Sequence, residues 1–242
     1  MDNGVERRAP WHRVRMDDAP AAPALWRGDG TEQAGLVEGA PDPLALAQRH
    51  VRIRGLASPG AEAADAAVRA GVAAISLVAA CFDHGPAAVR AAARRLRELD
   101  PAARVHLDVS RRVDGEIVTA YGAVPAVLHH RLLLGGPHVA LLADEAGVTV
   151  LPIRPGATAC LRCRDLARAD LDPAWPVIAA QCEAHGPPPD PLTTAVAGSL
   201  AASSLAVLLA GDEAPAWRVE RGLPRIVPAP PHPACGCGAT PG

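Results

Sequence analysis

"HVRIRGLASPGAEAADAAVRAGVAAISLVAA", residues 50–80, runs strand, glycine-containing loop, alanine-rich helix, Gly71 and a second apolar strand, which is the order of a βαβ unit. Downstream, "PAAVRAAARRLRELDP" (86–101) reads as a helix whose apolar face is set by Val89, Ala93 and Leu96, and it leads into the strand "RVHLDV". "GEIVTAYG" and "HVALLADEAGVTVLPI" supply further strands, the latter as two runs about an Asp-Glu-Ala-Gly turn and so expected to be antiparallel. "LTTAVAGSLAASSLAVLLAG" (192–211) approaches transmembrane length, yet it is rich in Ala, Ser, Thr and Gly and stops at Gly211-Asp212. It reads as a buried helix covering one face of a sheet, with no membrane expected as a partner. Strands alternating with helices and closing in a hairpin predict an α/β domain with a mixed sheet.

With 242 residues, 49% of them hydrophobic, the chain can build one sizeable domain or a domain plus an appendage. A formal net charge of −2 and 2% aromatics provide neither a cationic field nor a set of base-stacking platforms, so nucleic acid is not an expected partner. Apart from histidine every basic residue is Arg, which excludes chemistry needing a lysine Schiff base or a P-loop ammonium. The opening "MDNGVERRAPWHRVRMDD" has no apolar h-region, so a cytoplasmic location is expected. There, the 6 cysteines are read as metal ligands or core thiols rather than disulfides. Residues 1–24 lack a sustained period and are expected to be disordered, and "ALWRGDGTEQAGL" (24–36) reads as a hairpin followed by the Pro-rich linker "EGAPDP". The organisation expected is thus a disordered segment at 1–24, a hairpin and linker at 25–48, and the α/β domain at 49–242.

Cys160 and Cys163 form CxxC, and "HPACGCG" supplies Cys235 and Cys237. Two close thiolate pairs match a closed tetrahedral zinc site, although the second pair is CxC, a tighter and less common chelate. Cys182, His185 and His232 are possible substitute ligands, and inert thiols or a redox pair are the competing interpretations. Four cysteine ligands leave zinc no open position, so such a site holds a fold together rather than activating water. In "RGLASPG", Gly55 and Gly60 stand where a nucleotide-binding loop carries its first and last glycines. Ala57 replaces the second, and Pro59 lacks an N–H donor. The same stretch also works as a plain strand-to-helix turn. His129 and His130 point apart on a helix and cannot chelate one metal, and with His138 they read as surface or core residues. No Ser-His-Asp spacing or carboxylate pair stands out.

Together, "VLPIRPGATACLRCRDLARADLDPAWPVIAAQ", "TTAVAGSLAASSLAVLLAG" and "HPACGCG" resemble the C-terminal half of the ThiF-like adenylyltransferases. The resemblance is to the actinobacterial branch linked to cyclodehydratases of thiazole- and oxazole-modified peptides. It is specific from about residue 137 to the end and traceable over 50–136. "ALWRGDGTEQAGL" resembles the opening hairpin of that branch's leader-peptide-binding winged-helix module, whose helices are missing. The resemblance implies a Rossmann-like fold with a C-terminal zinc knuckle on Cys160, Cys163, Cys235 and Cys237, a homodimer, and a nucleotide loop of which Gly55 and Gly60 are remnants. The family's adenylating lysine is missing, the acidic residue expected after the second strand is not found in "AISLVAAC", and its metal-holding aspartate would fall near Ala120 and Tyr121 of "EIVTAYG", where no carboxylate stands. Asp83 and Asp108 are the nearby candidates, and neither is well placed. Structural Zn2+ is therefore expected, and weak binding of ATP and Mg2+ if any. The function implied is a degenerate scaffold that presents a precursor peptide to a YcaO-type partner. An active adenylyltransferase, or an interaction protein without substrate, are the alternatives.

Overall fold

The computed structural model describes residues 46–80, 85–107, 111–182 and 189–239. The hairpin and the disordered segment expected before residue 46 lie outside the described residues, as do Asp83, Asp108 and His185. A compact unit spans Leu44–Gly242. It begins slightly before the expected boundary, because Leu46 is buried in the core and its carbonyl accepts the backbone N–H groups of Arg49 and Ala73 at 3.0 and 3.2 Å.

The elements follow the expected order: β1 (His50–Arg54), α1 (Gly60–Arg69), β2 (Ala74–Val78), α2 (Pro86–Leu99), β3 (Arg104–His106), β4 (Gly115–Tyr121), α3 (Ala126–Gly135), β5 (His138–Asp144) and β6 (Gly147–Ile153). There follow α4 (Leu161–Leu171), α5 (Trp175–Cys182), α6 (Pro191–Ala210), β7 (Trp217–Glu220) and β8 (Leu223–Ile226). All 8 strands form one sheet in the order β3-β2-β1-β4-β5-β6-β7-β8. β3 through β5 are parallel and β6 through β8 antiparallel, so the sheet is mixed, as the sequence pattern predicts. β5 turns into β6 through Asp144, whose Oδ1 accepts the N–H groups of Ala146 and Gly147 at 2.9 and 3.1 Å.

Strand alternation divides the core in two. Val51, Ile53, Ile75, Leu77, Ile117, Val139, Leu141, Val148 and Val150 point to the front face, under α1, α2 and α6. Val118, Ala120, Ala140, Leu142, Leu151 and Ile153 point to the rear, packing with Leu132 of α3 and Leu161 of α4. α6 starts with Asp190 accepting from Thr193 N at 2.9 Å, has Pro in its first turn and stops at Gly211 in the left-handed region. Among the described residues it alone is long and apolar enough to cross a membrane, but half of it is buried inside the fold. Ala197 and Ala201 are fully buried, and Gly198 lets the backbone of α1 approach: a β-carbon there would lie 2.7 Å from Ala63 N.

Candidate functional site: a four-thiol cluster and a reversed switch point

The loop after β6 delivers Cys160 to the N-cap of α4 and Cys163 to its first turn, both buried. The second pair arrives on the chain after β8. His232 fixes it: its Nδ1 accepts the N–H of Ala234 at 3.1 Å, its carbonyl accepts that of Cys235 at 2.9 Å, and Nε2 lies 2.8 Å from Asp170 Oδ2 on α4. The result brings together Cys160, Cys163, Cys235 and Cys237, with all four sulfurs within 4.8 Å of one another. Sγ–Sγ distances are 3.8 Å for Cys160–Cys163, 3.6 Å for Cys160–Cys235 and 3.6 Å for Cys163–Cys237. Four sulfurs about 2.3 Å from a tetrahedral zinc ion are about 3.8 Å apart, so the donor set and its spacing both fit that metal. Burial raises the Cys160 thiol, whereas for Cys237 bonds from Ala239 N–H and the neighbouring thiols overcome burial and bring the thiol to about 7. Two of the substitute ligands stand elsewhere: His232 serves as the brace just described, and Cys182 lies against Gly122 at the end of α5.

In the parallel half of the sheet, β1 runs next to both β2 and β4, so the chain reverses direction there. The mouth formed by the carboxyl ends of β1 and β4 is where open α/β sheets take ligands. The glycine loop sits at that mouth. Gly55 has φ 87° and donates its N–H to Val78 O at 2.9 Å, which makes the tight turn. Gly60 opens α1 against β4, where a β-carbon would lie 1.9 Å from Gly55 O and 2.6 Å from Thr119 Oγ1. Both glycines thus serve the fold of the loop itself. Ala57 occupies the middle position that would admit a phosphate, Pro59 caps α1 without an N–H, and Glu62 adds a negative charge to its first turn. β2 ends at Val78 and β4 at Tyr121, neither of them a carboxylate, and the carboxylates beside Tyr121 are Asp144 and Glu145 from the β5–β6 turn, Asp144 being held by Arg218.

Glu116 is the one carboxylate in β4, and the sequence reading overlooked it. It faces the rear, opposite Arg52 in register. Its Oε2 accepts from Arg52 Nη1 at 3.1 Å and its Oε1 from Arg54 Nε at 2.6 Å, all three side chains being no more than 10% exposed. Arg54 Nη2 and Thr119 Oγ1 are buried without a hydrogen-bond partner near the mouth. The sheet also pairs His50 Nε2 with Ser76 Oγ at 2.8 Å, which sequence spacing did not reveal. Asp114 Oδ2 bonds the backbone N of His50 at 2.7 Å rather than its ring, so this is no triad. As expected, the helical histidines diverge: His129 is half-buried against Val124 O at 3.0 Å, and His130 is exposed. His138 is buried, and burial lowers its pKa despite a bond to Gly136 O.

A doubly wound half-sheet, an antiparallel extension and a C-terminal four-cysteine region define a Rossmann-like α/β domain with a mixed sheet. No protein-family model matches the chain, and no curated protein matches it. Among solved structures it is similar to E. coli MccB in complex with selenomethionine MccA, at 14% identity and TM-score 0.60, over 81% of this chain and 68% of that one. E. coli MccB alone gives 16% identity and TM-score 0.60, over 82% and 67%. Selenomethionine PaaA gives 12% identity and TM-score 0.54, over 76% and 73%.

Proposed function

We propose that this chain is a zinc-stabilised ThiF-like scaffold in the maturation of a ribosomally made peptide, binding a precursor and presenting it to a YcaO-type cyclodehydratase without adenylating it. The observation that carries the proposal is the loop at the sheet's switch point: its two glycines are taken up by the loop's own packing, and Ala57 stands at the middle position of the motif, where a nucleotide loop has glycine. A peptide-related role fits the likeness to MccB, a Microcin C7 biosynthetic enzyme whose structures include complexes with MccA. In this reading zinc on the four cysteines is structural, the protein is a cytoplasmic homodimer, and residues 25–48 are what remains of a leader-binding module. Arginine alone would have to supply cationic stabilisation of pyrophosphate, because the chain has no lysine.

An active ATP-dependent adenylyltransferase is the second reading. The unpartnered Arg54 Nη2 and Thr119 Oγ1 near the mouth favour it, and MccB has been solved with ATP. ATP–pyrophosphate exchange at millimolar ATP and Mg2+, with and without the YcaO-type partner and the precursor, separates the two. The scaffold predicts no exchange by the protein alone and saturable binding of the precursor peptide. Exchange that Gly55→Asp abolishes establishes the adenylyltransferase instead.

A further inference from the structure

Between α4 and the β7–β8 hairpin the rear face of the sheet opens into a cavity of about 450 Å³ beside the thiol cluster, within the size range of ligand sites. Register explains its charge. Thr149, Arg218 and Arg225 stand in one row across β6, β7 and β8, and Arg164 and Arg168, one helical turn apart on α4, line the opposite wall. Arg218 is fully engaged: it grips Asp144 through two bonds of 2.6 and 2.7 Å and reaches Glu220 at 2.9 Å. Those are the carboxylates that line the cavity, and Arg218 holds both, sharing Glu220 with Arg225. Arg225 is left 3.8 Å from Glu220 and 61% exposed. Arg164 has Asp165 at 3.7 Å and lies 5.7 Å over the Trp175 ring, and Arg168 has no carboxylate within ion-pair distance among the described residues, its guanidinium resting 4.9 Å over the same ring. The floor between the charges is apolar, made by Leu151, Ala216 and Val227. Along one side runs β8, the last strand of the sheet, its 4 residues all exposed and its outer edge unpaired among the described residues.

We infer that this groove docks an extended peptide segment bearing acidic side chains two residues apart. An added strand on β8 would bond the outward carbonyls of Pro224 and Ile226 and the N–H of Ile226, Pro224 having no N–H to give, and its alternation would send every second side chain towards the row of arginines. A carboxylate there meets Arg168, which has no carboxylate in ion-pair distance among the described residues, and Arg225, which is exposed and shares Glu220 with Arg218, and the apolar floor strengthens the interaction by excluding water. The inference deepens the peptide-binding function proposed above, adding the chemistry that would select the segment.

The test uses the full-length, metal-loaded protein and a fluorescein-labelled heptapeptide, Gly-Leu-Glu-Val-Glu-Leu-Gly, followed by fluorescence anisotropy against its Gln-for-Glu counterpart. The acidic peptide is expected to bind at least about tenfold more tightly than the neutral one, in the range of one charge-assisted hydrogen bond. The double variant Arg168→Gln/Arg225→Gln should erase that difference, while Arg90→Gln, exposed on α2, should preserve it. Equal affinity for both peptides, absence of binding, or unchanged preference in the double variant overturns the inference. So does competition by glutarate at the peptide's own affinity, which would mark a small-molecule site. If a precursor peptide binds while the acidic heptapeptide does not, the groove assignment fails alone; if neither binds, the scaffold function fails with it.

Discussion

Replacing Glu116 by Ala should be among the most damaging single changes in the sheet. It removes a carboxylate that Arg52 and Arg54 both grip, at 3.1 and 2.6 Å, from beside two guanidinium groups no more than 10% exposed on β1. Breaking a buried ion pair from one side costs about 3–5 kcal/mol, chiefly because the remaining charge is left without compensation. That is a large share of the roughly 5–15 kcal/mol stability of an ordinary domain. For a unit of this size it translates to a fall in Tm of roughly 6–20 °C. Urea unfolding of the metal-loaded protein, with m held constant across variants, measures it directly. The companion variant Arg52→Met/Arg54→Met/Glu116→Leu removes all three charges together and should recover most of the loss, because apolar replacement of a whole buried ionic cluster is often neutral or stabilising. A Glu116→Ala protein within about 1 kcal/mol of wild type would refute the reasoning, as would a triple variant worse than the single one.

Purified protein should carry about one zinc ion per chain, and Cys160→Ser or Cys235→Ser should lower both metal content and Tm; structural zinc supplies on the order of 10 kcal/mol, so metal-free protein with an unchanged Tm would contradict the coordination geometry. Gly198→Ala should destabilise by about 1–3 kcal/mol in chemical unfolding despite alanine's better helix propensity, since its β-carbon would lie 2.6 Å from Glu62 Cβ and 2.7 Å from Ala63 N. Burial lowers the pKa of His138, so below about pH 6.5 the unfolded chain takes up a proton that the folded one refuses. Stability from this group is complete above that pH and declines as the pH falls, by at most about 1.4 kcal/mol per pH unit; His138→Gln should flatten the acid limb of a stability–pH curve, and an unchanged slope would count against it.

Elements with a clean period could be read from the sequence. The alternation in "HVRIR" and "AISLV", the alanines of α1 at helical spacing and the Asp-Glu-Ala-Gly turn all give their local answer without help from distant residues. The cysteines were legible because a metal constrains spacing more tightly than packing does. β7 and β8 were not: "WRVE" and "LPRI" are 4 residues each, carry charges and a proline, and are strands because β6 offers an edge to β7 and β7 in turn offers one to β8. The burial of Arg52 and Arg54 was also hidden. Alternation alone would put them in water, and what holds them inside is Glu116, 64 and 62 positions away in the chain. The same holds for the His50–Ser76 pair, which parallel strand pairing creates across 26 residues.

The thiol cluster has a topological consequence. Its pairs Cys160–Cys235 and Cys163–Cys237 are separated by 75 and 74 residues, and that interval contains α5, α6, β7 and β8. A metal at this point would close a macrocycle around most of the second half of the chain, with α6, the strap over the front of the sheet, lying inside it. By analogy with a covalent cross-link, a ring of that length would remove about 4–5 kcal/mol of chain entropy from the unfolded state. Unlike a disulfide, this clasp would be opened by a chelator and closed again by zinc. Its two jaws are the start of α4 and the chain leaving β8, the same two walls that bound the arginine-lined groove, so metal content would set how far that groove can gape.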